Sequence, residues 1–348
     1  MPATELPLLN ARPRMRVEDE DRPNLGEGLL AASIHLPRSG MATAELRLLN
    51  WSGANGTPDF LFQHLEHGQK LEILLGEAAE VAAFTGHITA IEERYGQGAP
   101  QLVLLAEDAL HKLARRRGNQ AYEDMSLDEV VQQIAARAGL QADVQTGGGS
   151  GSWLQNNESD LAFLLRQLEP LDIGLRMQGE RLRARDDDDD TRPVPLRSGS
   201  NATSIRLIAD LNQQPTRVSS QGIDLDAGSD ISASADSLTP APTGQTAASL
   251  LDHLGWVTES IPPHPWAALQ GRADTLAQRR FRRAARQFVH GDIVCRDTPE
   301  LHSGALVELS EVSPRLAGRY RVDDCVHLFD AAEGLRTRLR VSRPDWNV

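Results

Sequence analysis

Two groupings of side chains in the sequence could suggest a metal ion: a run of aspartates and a pair of histidines. Aspartates occupy all of residues 186–190, and carboxylate oxygens are the ligands that hard cations such as calcium prefer. The run lacks the spaced Asp-x-Asp-x-Asp-Gly pattern of a calcium loop, so a solvated linker is favoured over a calcium site. His64 and His67 lie three residues apart, whereas a zinc-binding helix places its two histidines four residues apart. An ordinary surface pair is therefore favoured over a zinc site.

Catalytic chemistry would need a nucleophile with a base and an orienting acid, or a pair of carboxylates. His327 alternates with apolar neighbours on a predicted strand, which favours a packed histidine over a catalytic base. The glycine-rich residues 147–151 lack the Lys-Ser/Thr of a phosphate loop and are interpreted as a flexible hinge. With 49 acidic residues, carboxylate pairs are inevitable and do not indicate a glycosidase. The sequence therefore predicts no catalytic residue, no metal ligand and no cofactor.

The composition limits the class of protein. A chain of 348 residues is long enough for about two or three domains. Aromatic residues make up only 4% of it, so the cores must consist mostly of aliphatic side chains. No run of about 18 apolar residues indicates a membrane span, and residues 1–22 do not resemble a signal peptide. The formal net charge of −13 repels phosphate, which disfavours a nucleic-acid partner. Cytoplasmic synthesis is expected, without membrane insertion.

Two cysteines, Cys295 and Cys325, both fall in predicted strands. This low count is typical of a reducing compartment. A disulfide between them is geometrically possible, but two buried free thiols are favoured.

Most of the predicted elements are strands. Apolar runs in residues 1–108 are separated by turn signals, with a spacing of roughly 8–12 residues that indicates a small barrel or sandwich. Strands return in residues 203–348, which we predict to be a second β domain. The Asp- and Pro-rich residues 186–202 are predicted to be a linker. Residues 224–246 lack aromatic side chains and are predicted to be a mobile loop.

Residues 109–185 have the pattern of a compact α+β module, with two helices and a hairpin. Ser126 and Glu129 have the spacing of a capping box at the start of the first helix, and Gly139 is suited to end it. The second helix is predicted to follow residues 153–159. Asn157 is its predicted cap, and its apolar face comprises Leu161, Leu164, Leu165 and Leu168.

A third helix is predicted over residues 266–288. One face of it is apolar, and its other face carries the one concentration of basic residues in an acidic chain. Two interpretations remain open for this face: a solvated surface whose arginine stems cover apolar groups, or a contact to acidic surfaces of other subunits or of the chain itself. The arginines are Arg272, Arg279, Arg280, Arg282, Arg283 and Arg286.

Several short strings, in this order along nearly the whole chain, resemble those of the late control D proteins of contractile-tailed phages. Related hubs occur in VgrG spikes and in phage-like contractile injection systems. The strings are AELRLLN at residues 44–50, FTGHITAIE at 84–92, QNNESDLAFL at 155–164, GALV at 304–307 and GRYRV at 318–322, followed by His327 and Thr337.

This resemblance implies a non-enzymatic baseplate hub with an α+β, mostly β fold. Two β-barrel-like hub domains would flank the α+β module, and three subunits would form a homotrimer that adapts a sixfold inner tube to a threefold spike. The implied partners are the inner tube protein, other baseplate proteins and a spike. Because VgrG continues into an OB-fold and a β-helix that this sequence lacks, the spike is expected to be a separate polypeptide. The expected location is a phage-tail-like particle, after assembly in the cytoplasm.

Two other classes of protein stay open from the sequence. The first alternative is a peptidoglycan hydrolase that acts at the tip of the particle. The second is a β-rich binding module that belongs to no particle and is a monomer.

Overall fold

The computed structural model describes residues 12–52, 59–76, 81–187, 192–225, 227–296 and 298–347. In the first half of the described chain the strands are β1 (Arg14–Val17), β2 (Glu20–Asp21), β3 (Leu29–Pro37), β4 (Thr43–Leu49), β5 (Lys70–Leu75), β6 (Val81–Arg94), β7 (Gln101–Glu107), β8 (Arg117–Ser126), β9 (Gln141–Gln145), β10 (Ser150–Ser159), β11 (Gly174–Gln178) and β12 (Arg181–Arg185). In the second half they are β13 (Val194–Arg197), β14 (Ala202–Ala209), β15 (Arg217–Asp224), β16 (Ser229–Ala235), β17 (Gln245–Thr246), β18 (Glu259–Ser260), β19 (Val289–Cys295), β20 (Leu306–Ser310), β21 (Gly318–Asp330), β22 (Gly334–Arg343) and β23 (Asp345–Trp346).

The helices are short apart from the last one. They are α1 (Pro23–Gly28), α2 (His111–Arg115), α3 (Leu127–Arg137), α4 (Asp160–Leu168), α5 (Ala247–Leu254) and α6 (Gln270–Arg286), and a 3-10 turn at Glu169–Leu171 follows α4. The predicted fold class, α+β and mostly β, is confirmed.

One sheet contains the strands from both ends of the chain. Its main path runs β14-β19-β22-β21-β3-β4-β7-β6-β5-β1-β2, with β20 and β13 joined at β21. The two ends of the chain meet where β3 pairs antiparallel with β21, from Asp324 opposite Pro37 to Asp330 opposite Ala31. Backbone hydrogen bonds therefore tie the opening and closing β sections together. The division into two barrel-like domains stays a prediction.

Three apolar clusters form the core. One lies under β1–β7, and a second lies under β19–β22. The third combines the middle α+β unit with later segments, because Val218, Ile231 and Phe281 pack with Leu127 and Phe163. Strands β15 and β16 and helix α6 are thus packed against the module, although they follow it by many residues.

The capping box of α3 is confirmed, since the Ser126 hydroxyl accepts from the Glu129 amide and the Glu129 carboxylate accepts from the Ser126 amide. Gly139 follows the helix at φ +71, as expected. The predicted cap of α4 is wrong. Strand β10 passes through a bulge at Asn157 and continues to Ser159. Ser159 is therefore the residue whose hydroxyl meets the first free amides, and it accepts from Ala162 at 3.1 Å.

The predicted flexible hinge at residues 147–151 is also wrong. Ser150 and Gly151 begin strand β10, and the Gly148 amide donates to the Thr146 hydroxyl at 3.1 Å. A Cβ atom added at Gly148 would lie 3.0 Å from Leu127. The lack of a side chain at Gly148 thus permits close packing against Leu127.

Residues 224–246, predicted to be a mobile loop, contain an ordered strand. β16 pairs with β15 along its whole length. Ile231, Ala233 and Ala235 alternate with exposed polar residues and enter the third core. Small apolar residues at every second position are enough for one face of a short strand. The absence of aromatic residues therefore does not indicate a mobile loop here.

Residues 186–202 are not a solvated linker at either of their described ends. Asp187 is buried, and β13 pairs in parallel with β20. The aspartates at 188–190 lie outside the described residues.

We predict that Gly86→Ala destabilises the protein by roughly 1–3 kcal/mol, the range for overpacked sites. An alanine Cβ would lie 2.3 Å from the Glu107 carbonyl oxygen and 2.6 Å from the Phe84 ring. The measurement is urea unfolding followed by circular dichroism. Gly96→Ala is the control, because a Cβ there meets nothing within 4 Å. Equal unfolding curves for the two variants would contradict the predicted clash.

Candidate functional site

A buried cluster of aspartates and arginines joins segments that are far apart in the sequence. At its centre lie Asp172 and Asp187, whose side chains are 2% and 1% exposed. Asp172 follows the 3-10 turn at φ +55, a left-handed conformation that aspartate tolerates better than most residues. Asp187 comes two residues after β12. The cluster is the place where the opening β section, the module, α6 and the closing β section meet.

Arg38 bridges the two carboxylates. It lies in the turn between β3 and β4, and its Nε donates to Asp187 at 2.6 Å. Its Nη1 donates to the Asp172 carboxylate at 3.1 Å, and its Nη2 donates to the Asp172 carbonyl at 2.7 Å. One guanidinium thus fixes the turn of the first β section to the module.

Asp187 has three further arginine partners. Arg176 on β11 donates to it at 2.9 Å and Arg183 on β12 at 3.4 Å, and an Arg321 nitrogen on β21 lies 3.7 Å from its Oδ2. The carboxylate therefore links the module's hairpin to the closing β section.

Helix α6 binds the other side of the cluster. Arg286 forms a bidentate pair with Asp172, with both donor–acceptor distances at 2.8 Å. Asp186 accepts from Arg279 and, at 2.6 Å, from Arg282. These contacts resolve the alternatives for the basic helix face, because four of its arginines pair with acids of the chain itself. The fourth pair joins Arg283 to Glu169.

The electrostatics keep both central carboxylates ionised. Burial alone raises the pKa of Asp172, but the hydrogen bonds and charge of Arg286, with the charges of Arg38 and Arg282, outweigh it and lower the pKa to about 2. Burial likewise raises the pKa of Asp187, and the charges of Arg38, Arg176 and Arg321 bring it well below its ordinary value. Each carboxylate is held by several guanidiniums, which is how buried charges are accommodated.

This cluster holds distant segments of the chain in place, and it does so by ion pairing. Sequence reasoning identified the arginines of α6 but missed Arg38, Asp172, Arg176, Arg183 and Arg321. A usable signal was the arginine density of residues 176–185, where arginine alternates with apolar residues on two short strands. Arg38 gave no such signal, because its partners lie 134 and 149 residues away.

His327 is packed on β21, as predicted, and is 1% exposed. Its Nδ1 lies 2.9 Å from the Thr337 hydroxyl, and its Nε2 lies 3.0 Å from the Leu301 carbonyl oxygen. Burial lowers its pKa to about 4. Cys295 and Cys325 are both buried free thiols, which confirms the favoured interpretation.

The histidines considered as zinc ligands, His64 and His67, are exposed residues in a turn region. In the described part of the chain, no three His, Cys, Asp or Glu side chains are grouped so that they could hold a metal ion. No helix within the described ranges is long and apolar enough to cross a membrane.

Exposed large apolar side chains are concentrated in residues 223–269. Trp256 is 61% exposed, Val257 71% and Trp266 65%. Ile223, Ile261 and Trp266 line one cavity of about 180 Å³ beside the pairing of β15 with β18. Clustered apolar exposure of this kind marks contact surfaces for other molecules. The exposed side chains that we call the apolar surface are those of Ile223, Leu225, Leu254, Trp256, Val257, Ile261, Trp266 and Leu269.

Comparison with known proteins identifies a family. The model of the family described as Alg8 N-terminal domain matches residues 41–330. No curated protein matches the chain by sequence.

Solved structures with the same fold include two tail proteins. The 43 kDa tail protein of prophage MuSo2 from Shewanella oneidensis is similar with a TM-score of 0.72 and 13% identity, over 97% of this chain and 99% of that one. A tail protein from Neisseria meningitidis MC58 has a TM-score of 0.67 and 13% identity, over 96% and 97% of the two chains.

A third similar structure comes from a secretion system. It is an E. coli protein described as a component of the type VI secretion system with structural similarity to bacteriophage T4 tail proteins. Its TM-score is 0.60 at 11% identity, over 94% of this chain and 76% of that one. At these identities the comparisons establish a shared fold, which agrees with the resemblance drawn from the sequence.

We predict that Asp172→Asn lowers the free energy of unfolding by about 3–5 kcal/mol, because it leaves the buried Arg286 without its charge partner and removes one of the two partners of Arg38. Urea unfolding measures the change. Asp236→Asn is the control, because the Asp236–Arg217 pair is more than half exposed and exposed pairs contribute little. Equal losses in the two variants would show that the buried cluster is not a major source of stability.

The same carboxylate should make stability depend on pH. The pKa of Asp172 falls from its ordinary 3.8 to about 2 in the folded protein, so its contribution is fully present above about pH 5 and is lost as the pH falls towards 2. The shift corresponds to about 2 kcal/mol. Thermal unfolding between pH 6 and pH 2.5 should show a shallower acid decline in Asp172→Asn than in the native chain. Parallel curves would contradict the assigned shift.

Proposed function

The chain belongs to the family described as Alg8 N-terminal domain, and because it has the fold of tail proteins, we propose that it is a structural baseplate hub. It would belong to a contractile tail or injection particle. In this role it forms a trimer that adapts a sixfold inner tube to a threefold spike.

The observation that carries this proposal is the extent of the fold similarity. Alignment with the Shewanella tail protein takes in nearly all of both chains, so the opening β section, the module and the closing β section correspond together. A single shared domain would leave large parts of either chain unmatched. The strings of residues 84–92 and 155–164, which resemble late control D proteins, lie inside the matched region.

The domain organisation that we propose has residues 1–108 and 203–348 as two barrel-like hub domains. The module at 109–185 lies between them, and residues 186–202 connect it to the second domain. Three subunits with two similar domains each give six quasi-equivalent units around an axis. Such a ring matches a sixfold tube on one side and a threefold spike on the other. The buried arginine–aspartate cluster supports this role, since it holds the β sections and the module in a fixed arrangement.

The proposed partners are the inner tube protein, a separate spike protein, other baseplate proteins and two further copies of this chain. The proposed location is a phage-tail-like particle assembled in the cytoplasm. The apolar surface is a contact region between subunits in this proposal. Its large exposed side chains would become buried on assembly, which provides a hydrophobic driving force.

The proposed role needs no catalysis, and the described residues contain no feature that favours the peptidoglycan hydrolase over the hub. Clearing of a peptidoglycan suspension separates the two functions, because the hub leaves the turbidity unchanged. Clearing by the pure chain would replace the hub proposal with the hydrolase.

We predict that the complex formed when the purified chain is mixed with its proposed spike protein contains three copies of the chain. Light scattering would then give a mass for this chain of three times 38.0 kDa, plus that of the spike. The double variant Trp256→Ser, Trp266→Ser should lose the trimer while keeping its melting temperature, because both side chains are exposed in the single chain.

Leu154→Ser is the matched control for this experiment. Leu154 is 61% exposed but lies on β10, outside the apolar surface. A trimer that survives the double tryptophan change would remove the apolar surface from the proposed interface. A complex with one copy of the chain would contradict the hub itself.

A further inference from the structure

A cavity of about 320 Å³ lies between the end of α4 and the first half of α6. Its walls are partly apolar, from Trp153, Pro170, Leu171, Pro265 and Leu276, and partly polar, from Arg166, Gln167, Glu169, His264 and Arg272. The Trp153 ring is held in place because its Nε1 donates to the Met125 carbonyl at 3.0 Å. The cavity is large enough for a small organic group rather than a bare ion.

Arg272 supplies a positive charge to this cavity. Its guanidinium lies over the Trp153 ring, 4.7 Å from the centroid. The side chain of Arg272 forms no hydrogen bond or ion pair with any residue in the described part of the chain, unlike those of Arg279, Arg282, Arg283 and Arg286 on the same helix. Burial lowers its pKa, yet a guanidinium stays charged at neutral pH. Stacking uses the face of the guanidinium, so the donors at its edge remain available.

The other charged groups of the cavity are already paired. Arg166 donates to the Glu158 carboxylate, and Glu169 accepts from Arg283. These two pairs are neutral in sum. Arg272 is therefore the charge in this cavity that lacks a counter-charge.

The outer wall of the cavity is fixed by a second arginine. Nη2 of Arg280 donates to the His264 carbonyl, and His264 and Pro265 both line the cavity. Nη1 of Arg280 is buried and has no hydrogen-bond acceptor within the described ranges. The helix thus contributes two incompletely satisfied guanidiniums, Arg272 and Arg280, on the side that faces residues 264–265.

We propose that this cavity binds a carboxylate that carries an apolar group, as at the C-terminal residue of a polypeptide. Arg272 binds the carboxylate through the donors at its edge, and the apolar group packs among Trp153, Leu171 and Leu276. The apolar part of the wall favours this ligand over inorganic phosphate, which would leave that part without a partner. None of the exposed apolar side chains of the apolar surface lines this cavity, and the site does not depend on the proposed hub.

The test is a titration of the chain with N-acetyl-L-leucine as the probe. Binding is measured by saturation-transfer NMR. N-acetyl-L-leucinamide has the same shape without the negative charge, and inorganic phosphate has the charge without the apolar group. We expect binding of the acid and at least about tenfold weaker binding of the amide, because a charge-assisted hydrogen bond is lost. Phosphate should not compete with the acid.

Arg272→Gln should weaken binding of the acid at least about tenfold, while Arg338→Gln, an exposed arginine on β22, should leave it unchanged. Melting curves verify that both variants fold. If Arg272→Gln does not fold, the comparison of acid with amide on the native chain still decides the matter. Equal binding of acid and amide, or unchanged binding in Arg272→Gln, would overturn the site. Competition by phosphate at similar concentration would overturn the proposed ligand in favour of a simple oxyanion.

Discussion

The arrangement of this protein depends on two buried carboxylates that are each shared by several guanidiniums. Asp172 and Asp187 would be very costly to bury alone, since an isolated charge is strongly disfavoured in a protein interior. Arg38 contacts both of them, and their remaining partners come from the module, α6 and β21. A charge cluster of this kind is satisfied in one geometry only, so displacement of any one segment leaves buried charges unpaired.

The cluster acts together with the continuous sheet. The pairing of β3 with β21 joins the two ends of the chain through backbone hydrogen bonds, and Arg38 lies immediately after β3. The sheet therefore brings Arg38 to the junction, and the cluster fixes the module and α6 against it. The proposed hub role would need such a rigid connection between the β sections. Two flexibly linked domains would move independently by default.

The parts of the fold that local patterns specify were predicted well. The Ser126–Glu129 capping box, the apolar face of α3 and the strand character of both ends of the chain follow from short-range spacing. The errors have a common origin. Asn157 and Ser159 are both good caps, and the choice between them depends on a bulge that exists only because β10 pairs with β8. Residues 229–235 look too poor in apolar groups for a strand, but β15 and α6 supply the partners that their small side chains need.

The sequence by itself determined the mostly β composition, the helix that begins at the Ser126–Glu129 capping box and the presence of a strongly basic helix face, because each depends on neighbours within a few turns or strands. Only the tertiary structure decided what the basic residues do. Arg279, Arg282, Arg283 and Arg286 find carboxylates of the same chain between 93 and 114 residues away, while Arg272 finds a tryptophan ring and a cavity. The residue type alone determines whether a side chain carries a charge. Its partner depends on which distant segments the fold brings within a few ångströms, and no local spacing encodes that distance.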